Sequence, residues 1–261
     1  VITVNPTPKV VPVVAATTLC NEGTTSIRLT SPSTFSNGDI RFRYEAVATG
    51  GVTGFDASED DLEVDFVIAD DLLNPTDAPQ TVTYTIYPVD PTGLCSEGPS
   101  VEVVITVNPT PKVVPVVAAT TICNEGTTSI RLTSPSSFSN GDIRFRYEAV
   151  STGGVTGFDS SEEDLEEDFV IEDELYNPTD EPQTVTYTIY PVDPTGLCSE
   201  GPPVEVEIVV NPTPRIFPLP EEEYIRCNEF PVNITLNSPT IFSGGSQVTI
   251  NLSATAPEGV E

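Results

Sequence analysis

Cysteine is the residue type in this chain whose spacing most directly suggests chemistry. Cys20 and Cys95 recur 103 positions later as Cys123 and Cys198, and Cys227 stands after them. A zinc site would need about four nitrogen or sulfur ligands close together, whereas each repeat offers a single pair of cysteines and the chain has no histidine. The regular pairs therefore favour disulfides and an oxidising location for the protein.

Clustered carboxylates are the second candidate for chemistry, because calcium takes roughly six to eight oxygen ligands from carboxylates and carbonyls. Acidic residues crowd residues 56–65 and the equivalent residues 159–168. Their spacing matches no calcium-loop pattern and lacks a central glycine, so we predict a solvated acidic loop with no metal and no cofactor. Calcium is the alternative, and its candidate ligands are the aspartates that both clusters share: Asp56, Asp61, Asp65, Asp159, Asp164 and Asp168.

Catalysis is not expected. Nucleophilic triads need a histidine, which the chain lacks. Two glycosidase-type carboxylates would have to be fixed roughly 5–10 Å apart in a cleft, and no cleft is predicted. The formal net charge of −30 repels phosphate backbones and anionic lipid, so nucleic-acid binding and membrane-surface adsorption are not expected either. No apolar run is long enough to span a membrane.

The chain is built mainly from two near-identical copies of one unit. Residues 1–103 and 104–206 differ at 11 positions, and a third copy opens at Glu207. Solenoid repeats are roughly 20–50 residues long, so a period of this length matches one whole small domain. Because the sequence starts and stops within a repeat, we interpret it as a fragment of a longer array.

The hydrophobic period within each copy is that of β-strands. Apolar and polar residues alternate over 40–46, 82–87 and 101–107, which predicts strands with one buried face. Residues 9–14 carry Pro12 and are predicted to form an edge strand. About seven short strands per 100 residues, separated by Gly, Pro and Asn, indicate an immunoglobulin-like β-sandwich. The predicted fold class is therefore all-β, with tandem immunoglobulin-like sandwiches in a linear array.

The joints between domains are predicted from a recurring Asn-Pro-Thr-Pro motif. Its two prolines restrict the backbone, so each joint should be short and semi-rigid. With boundaries at these motifs, residues 1–5 are the last strand of a preceding repeat, 6–107 the first repeat, 108–210 the second, and 211–261 a partial, diverged third repeat.

These boundaries leave two ways to pair the cysteines. Pairing within a repeat joins Cys20 to Cys95 and Cys123 to Cys198, and leaves Cys227 without a partner. Pairing across the joint joins Cys20 to Cys198, because the end of one domain meets the start of the next. We predict the pairing within a repeat, since it lets each duplicated domain fold alone. In a simple sandwich, however, the two connections can lie at opposite ends of the domain, beyond the ~7 Å limit for bridged α-carbons.

Several motifs in this order resemble a known family. They are Asn-Pro-Thr-Pro, the run Cys-Asn-Glu-Gly-Thr-Thr-Ser-Ile-Arg-Leu-Thr-Ser from Cys20, the run Thr-Val-Thr-Tyr-Thr-Ile-Tyr-Pro from Thr81, and Gly93-Leu-Cys95. Together they resemble the PKD-like repeats of giant secreted surface proteins of Bacteroidota. The resemblance implies β-sandwich domains, export to the cell surface, and roles in adhesion, gliding motility or surface filaments.

These observations predict the structural stalk of a large extracellular adhesin or cell-surface filament. Its partners would be neighbouring repeats of the same chain and, by self-association, further copies of it. Two alternatives stay open. Each repeat could be a binding module for a glycan or calcium, or the chain could be a filament subunit that assembles by β-strand addition.

Overall fold

The computed structural model describes residues 4–36, 38–90, 92, 97–196, 198, 200–217 and 234–255. These residues form two tandem all-β domains. The described part of the segment that follows contains a short 3-10 helix, Ser243–Gly245. Within the same ranges, no helix has the length and apolar character needed to cross a bilayer.

The described part of the first domain contains ten short strands. They are β1 Val11–Val14, β2 Thr18–Leu19, β3 Gly23–Thr24, β4 Ile27–Thr30, β5 Arg41–Ala48, β6 Ser58–Leu62, β7 Val67–Ile68, β8 Asp71–Leu72, β9 Gln80–Val89 and β10 Val101–Val107.

The second domain repeats this order. Its strands are β11 Val114–Val117, β12 Thr121–Cys123, β13 Gly126–Thr127, β14 Ile130–Thr133, β15 Arg144–Ser151, β16 Ser161–Leu165, β17 Val170–Ile171, β18 Glu174–Leu175, β19 Gln183–Val192 and β20 Val204–Asn211.

Each domain is a sandwich of a five-stranded and a three-stranded sheet. The orders in the first domain are β2-β10-β9-β5-β6 and β1-β4-β7, and β3 and β8 form a separate two-stranded sheet. The second domain has the same orders, with β12-β20-β19-β15-β16, β11-β14-β17 and β13-β18. Strand β1, which carries Pro12, lies at a sheet edge as predicted, where a missing N–H breaks no ladder. Strand β2 runs parallel to the C-terminal end of β10, where it pairs with Thr106 and Val107.

The alternation in the sequence correctly predicts the buried face of the large sheet. Phe42 and Tyr44 of β5 and Tyr84 of β9 are almost fully buried, and Ile27 and Leu29 of β4 meet them from the small sheet. The rings of Tyr44 and Tyr84 pack edge to face with centroids 5.8 Å apart. The second domain repeats this core residue for residue.

Each core also contains a carboxyl group bound to a buried tyrosine. The Tyr84 hydroxyl donates to Asp70 at 2.6 Å, and the Tyr187 hydroxyl donates to Asp173 at 2.7 Å. Burial of these carboxyls raises the pKa of Asp70 and of Asp173 above the ordinary value. A hydroxyl donor therefore compensates only part of the cost of placing a carboxylate at this depth.

Substitution of the core phenylalanine should strongly destabilise the first domain. Phe42 is fully buried, so Phe42→Ala should lower the free energy of unfolding by about 3–5 kcal/mol. Val64→Glu is the matched surface change: Val64 is 41% exposed, and the second copy already carries Glu167 at this position. It should stay within about 0.5 kcal/mol of the parent chain in urea unfolding. Equal destabilisation by both changes would contradict the assignment of the buried face.

The buried carboxyl of Asp173 should make stability depend on pH. Its raised pKa means that the fold favours the neutral acid, so its contribution to stability is full below the ordinary value of 3.8 and is lost as pH rises through the folded-state pKa. Asp173→Asn cannot ionise and still accepts a hydrogen bond from Tyr187. Its unfolding free energy should therefore rise relative to the parent chain between about pH 4 and pH 7.

The control for this comparison is Glu181→Ala, a change that the first repeat already carries as Ala78. Urea unfolding across the same pH range provides the measurement. A constant difference between Asp173→Asn and the parent chain would show that this carboxyl does not titrate with folding.

A candidate functional site at the junction between the domains

A disulfide crosses from the first domain to the second. Cys20 is bonded to Cys198 over a sequence separation of 178 residues, with the two α-carbons 5.5 Å apart. The predicted pairing within a repeat, Cys20 with Cys95 and Cys123 with Cys198, is therefore wrong, and the alternative across the joint is the one that forms. Cys123 is free and exposed. Cys95 and Cys227 lie outside the described residues.

Strand geometry explains why a pairing within one domain fails. In the second domain, Cys123 ends β12 and lies opposite Asn211, the last residue of β20. Cys198 lies in the loop that precedes β20, which begins at Val204. The ends of β20 are about 23 Å apart at roughly 3.3 Å per residue. A disulfide joins α-carbons less than ~7 Å apart, so the two cysteines of one domain cannot meet.

The first domain presents Cys20 on a tight turn. Cys20 directly follows β2, and its carbonyl accepts a hydrogen bond from the Gly23 N–H at 3.0 Å. A Cβ atom on Gly23 would lie 2.8 Å from that oxygen, so the turn requires glycine here. Glu22 has a left-handed φ of 63°, and its N–H donates to the Leu72 carbonyl at 2.9 Å. The turn is thereby tied to β8 and holds Cys20 where the chain leaves for the second domain.

Asn21 connects this turn to the joint. Its side-chain oxygen accepts a hydrogen bond from the Asn74 N–H at 2.7 Å, and its amide donates to the Thr110 hydroxyl in the Asn-Pro-Thr-Pro motif at 2.8 Å. The Asn74 side chain is buried and donates to the Val107 carbonyl at 2.9 Å. Two asparagines thus fasten the start of the joint to the first domain.

The second domain holds the Cys198 loop through a guanidinium group. Arg146 donates to both carboxylate oxygens of Glu200, at 2.6 and 2.8 Å, and stacks on the Tyr190 ring 3.8 Å from its centroid. The Arg146 hydrogen bond lowers the pKa of Glu200, which keeps the carboxylate charged. A planar, bidentate contact fixes orientation as well as distance. The loop that carries Cys198 is therefore fixed to the outer face of β15 and β19.

A glycine in the same loop lets it lie against the joint. Gly201 donates its N–H to the Pro191 carbonyl at 3.0 Å. A Cβ atom at Gly201 would come within 1.9 Å of the Pro111 carbonyl oxygen, a contact that no side chain could make. The second proline of the Asn-Pro-Thr-Pro motif and the Cys198 loop thus touch backbone to backbone.

An ion pair adds a further contact across the joint. Lys112 donates to Asp77 at 2.5 Å, and the Asp77 carbonyl accepts the Ser137 N–H at 2.9 Å. The Asn108 side chain accepts the Ser139 N–H at 3.2 Å. The lysine and aspartate are both more than one-third exposed, so this pair contributes at most about 1 kcal/mol and acts mainly on domain orientation.

The end of the second domain repeats these contacts with the segment that follows. Asn124 donates to the Thr213 hydroxyl at 2.8 Å, as Asn21 does to Thr110. Arg215 takes the place of Lys112 and pairs with Asp180 through two nitrogens. The Asp180 carbonyl accepts the Ile241 N–H at 2.8 Å, as that of Asp77 accepts Ser137.

The aspartates proposed as calcium ligands do not converge on one point. In the first copy, Asp61 faces Arg41 at 3.6 Å and Asp65 pairs with Arg28 at 2.9 Å, while Asp56 lies beside the half-buried Asp70. In the second copy, Asp164 and Asp168 likewise face arginines, and Asp159 lies beside Asp173. Over the described ranges, no group of three or more acidic or cysteine side chains is arranged to hold a metal ion.

The sequence interpretation missed the side chains that position the disulfide. Asn21 and Asp77 were not singled out, and neither was the pairing of Arg146 with Glu200. A usable signal was present for Asp77 and Asp180, because the residue 35 positions later is basic in both cases, Lys112 and then Arg215. A charge kept through a change of residue type, in a chain this acidic, points to a fixed anionic partner.

The fold and the joint define a class of protein: all-β sandwich domains joined in series. A family model described as PKD-like domain matches residues 17–111 and 120–214. These two matches cover well over half of the chain, so the chain belongs to the PKD-like domain family. The family resemblance is thereby confirmed, whereas its association with Bacteroidota and with giant adhesins stays a prediction.

No curated protein matches this chain. Among solved structures, it is similar to the D0-D1 domain of intimin, with a TM-score of 0.24, 12% identity, and coverage of 75% of this chain and 95% of that one. Three titin domains give a TM-score of 0.39, 11% identity, and coverage of 82% and 68%. The Escherichia coli adhesin FdeC gives 0.39, 14%, and coverage of 79% and 66%. Similarities this weak say nothing about function.

Loss of the bidentate contact should expose the disulfide to reductant. Arg146→Lys removes the planar fork that holds Glu200, so the Cys198 loop should move more freely and dithiothreitol should reduce the Cys20–Cys198 bond several-fold faster. Alkylation of the released thiols followed by mass spectrometry measures the rate.

The matched control is Arg43→Lys. Arg43 makes the same contacts with Glu97 and Tyr87, but on the β9–β10 loop at the far end of the first domain. It should leave the reduction rate unchanged. Similar rates in the parent chain and Arg146→Lys would show that the guanidinium does not protect the bond.

Proposed function

We propose that this chain is a tension-carrying spacer, part of the stalk of a large extracellular adhesin or cell-surface filament, with no catalysis in this segment. The observation that carries the proposal is the covalent bridge between Cys20 of one domain and Cys198 of the next. Adhesins and filaments need reach and resistance to pulling, and domains joined in series by covalent bonds supply both.

The disulfide changes the path that tension takes through the chain. Force applied along the backbone reaches Cys20, crosses to Cys198 and continues into the segment that follows. The 178 positions that separate them are bypassed, so neither sandwich core lies fully in the path of the load. Noncovalent contacts at the joint, such as the pair of Lys112 and Asp77, then only need to set the direction of the domains.

The surface favours an extended, separate chain outside the cell. The net charge of −30 is spread along the sequence, and like charges on neighbouring domains and neighbouring chains repel. The Cys20–Cys198 disulfide persists in oxidising surroundings, which supports an extracellular location. Membership of the PKD-like family fits a structural or binding role, and no enzyme family is indicated.

The outer aromatic residues support a stalk over a glycan-binding module. Tyr87 and Tyr190 lie on the outer face of the large sheets, where a sugar ring could stack. One face of each ring is already covered by Arg43 or Arg146, whose guanidinium carbon lies 3.8 Å from the ring centroid. These tyrosines serve to hold an arginine in place.

Single-molecule pulling on the 261-residue chain, held by its two ends, tests the proposed function. With the disulfide intact, the segment between Cys20 and Cys198 should add nothing to the contour length of the fully unfolded chain. Reduction should release about 600 Å of additional contour length, because 178 residues extend at roughly 3.3–3.6 Å each.

Two single substitutions sharpen this test. Cys198→Ser should give the reduced contour length without reductant. Cys123→Ser changes the equivalent of Cys20 in the second copy, where the thiol is free and exposed, and should behave as the parent chain. Release of the whole contour length by the oxidised parent chain would remove the basis of the proposal.

A further inference from the structure

The joint at the end of the second domain repeats the contacts of the disulfide-bridged joint between the first and second domains, except those of the cysteine loop. Cys123 occupies the place of Cys20 at the end of the short parallel strand, and Asn124 contacts Thr213 as Asn21 contacts Thr110. The Ser243 N–H donates to the Asn211 side chain at 2.8 Å, as Ser139 does to Asn108 in the first joint.

The free thiol therefore lies in a site equivalent to that of Cys20, and the Cys20 site is bridged by a disulfide within the same molecule. Cys123 is exposed, and the turn that carries it has the geometry of the Cys20 turn: Glu125 has a φ of 62°, and a Cβ atom on Gly126 would lie 2.8 Å from the Cys123 carbonyl oxygen. At the first joint, this same arrangement receives the loop with Cys198 from the next domain.

We propose that Cys123 receives the cysteine loop of a following PKD-like domain, so that every joint in an array carries one bridge of the Cys20–Cys198 type. In such an array, the cysteine of each following domain's loop is bridged to the domain before it. This deepens the proposed function, because it rests on the domains acting in series. The partner is a PKD-like domain with the Gly-Leu-Cys-Ser-Glu-Gly sequence that this chain carries at Gly93 and Gly196.

The bridges of successive joints overlap. Each closes a loop of 178 residues, whereas the repeat is 103 residues long, so every residue of a long array lies inside a closed loop. Tension that passes through the bridges bypasses two domains at each disulfide. It then follows only the 28 residues that separate a cysteine such as Cys95 from Cys123.

The consequence is a rod that cannot be pulled out to its contour length even when its domains unfold. Twenty-eight residues extend to about 95 Å, and the 206 residues of two repeats would otherwise extend to about 700 Å. Two folded domains of this size measure roughly 35 Å each. A fully bridged array can therefore lengthen by about 1.4-fold, against about tenfold without bridges.

Formation of each bridge is a two-electron oxidation. The two thiols lose one proton each, and their two electrons reduce an acceptor disulfide, which is that of a thiol oxidoreductase, to two thiols. This proceeds by thiolate attack through a mixed disulfide. The exposed position of Cys123 leaves it open to such an exchange until the next domain is in place.

The first test completes the third domain with a sequence copied from the second repeat of this chain. One chimeric chain continues after Asn211 with a copy of residues 109–211. A second keeps residues 1–227 and continues with a copy of residues 124–211, which preserves the Arg215 joint. After oxidative refolding, peptide mapping without reductant should find Cys123 linked to the appended copy of Cys198 in both chains, and Cys123 should no longer react with maleimide.

Controls and contrary outcomes are defined by single cysteines. Cys123→Ser should abolish the new linked peptide and leave the Cys20–Cys198 peptide intact. A chimera that shows the unfolding transition of a third domain, yet leaves Cys123 reactive or links the appended cysteine within its own domain, overturns the proposal. The pulling result on the parent chain is independent of this outcome, so a failure here is distinguishable from a failure of the proposed function.

The second test uses the 261-residue chain unchanged. The probe is the peptide Asp-Pro-Thr-Gly-Leu-Cys-Ser-Glu-Gly, the sequence of residues 193–201, with its cysteine activated as a mixed disulfide. Cys123 should exchange with this peptide several-fold faster than with a scrambled peptide of the same composition. Equal rates for the two peptides would count against a built receiving site at Cys123.

Discussion

The parallel pairing of β2 with the last residues of β10 is the constraint on which the junction depends. The pairing is short, with Thr18 opposite Thr106 and Leu19 opposite Val107, yet it places the next residue, Cys20, beside the point where the chain passes to the second domain. The tight turn at Gly23 and the amide of Asn21 then hold Cys20 next to the joint. A cysteine a strand-length away would face the opposite end of the sandwich.

Covalent and noncovalent contacts divide the work at this joint. The exposed pair of Lys112 and Asp77, the proline-restricted backbone and the asparagine contacts each contribute little energy but set the angle between domains. The Cys20–Cys198 bond is the contact that does not dissociate under tension. Arg146 is its support, since it holds the loop of Cys198 through Glu200 and is itself held over Tyr190.

Much of the sandwich could be predicted from the sequence, because a strand is marked by alternation among neighbouring residues. Alternation at Phe42, Tyr44 and Tyr84 follows from the two-residue period of a strand, and all three side chains are buried as predicted. Pro12 predicted an edge strand because proline lacks an N–H, and β1 lies at an edge. The motifs around Cys20 and Thr81 correctly indicated the PKD-like family. The candidate site was predicted less well, since Asn21 and Arg146 act on partners 89 and 54 positions away.

By itself, the sequence determined the class of fold, the number of repeats, the sign of the surface charge and the use of cysteine for disulfides. Only the tertiary structure decided which cysteines meet. Pairing within a repeat and pairing with the next repeat both preserve the 103-residue period, so the repeat cannot distinguish them. The decision comes from strand direction: β12 ends at one end of the second sandwich and the loop with Cys198 lies at the other. A disulfide spans a few ångströms and a strand spans more than twenty, so the bridge forms with the neighbouring domain.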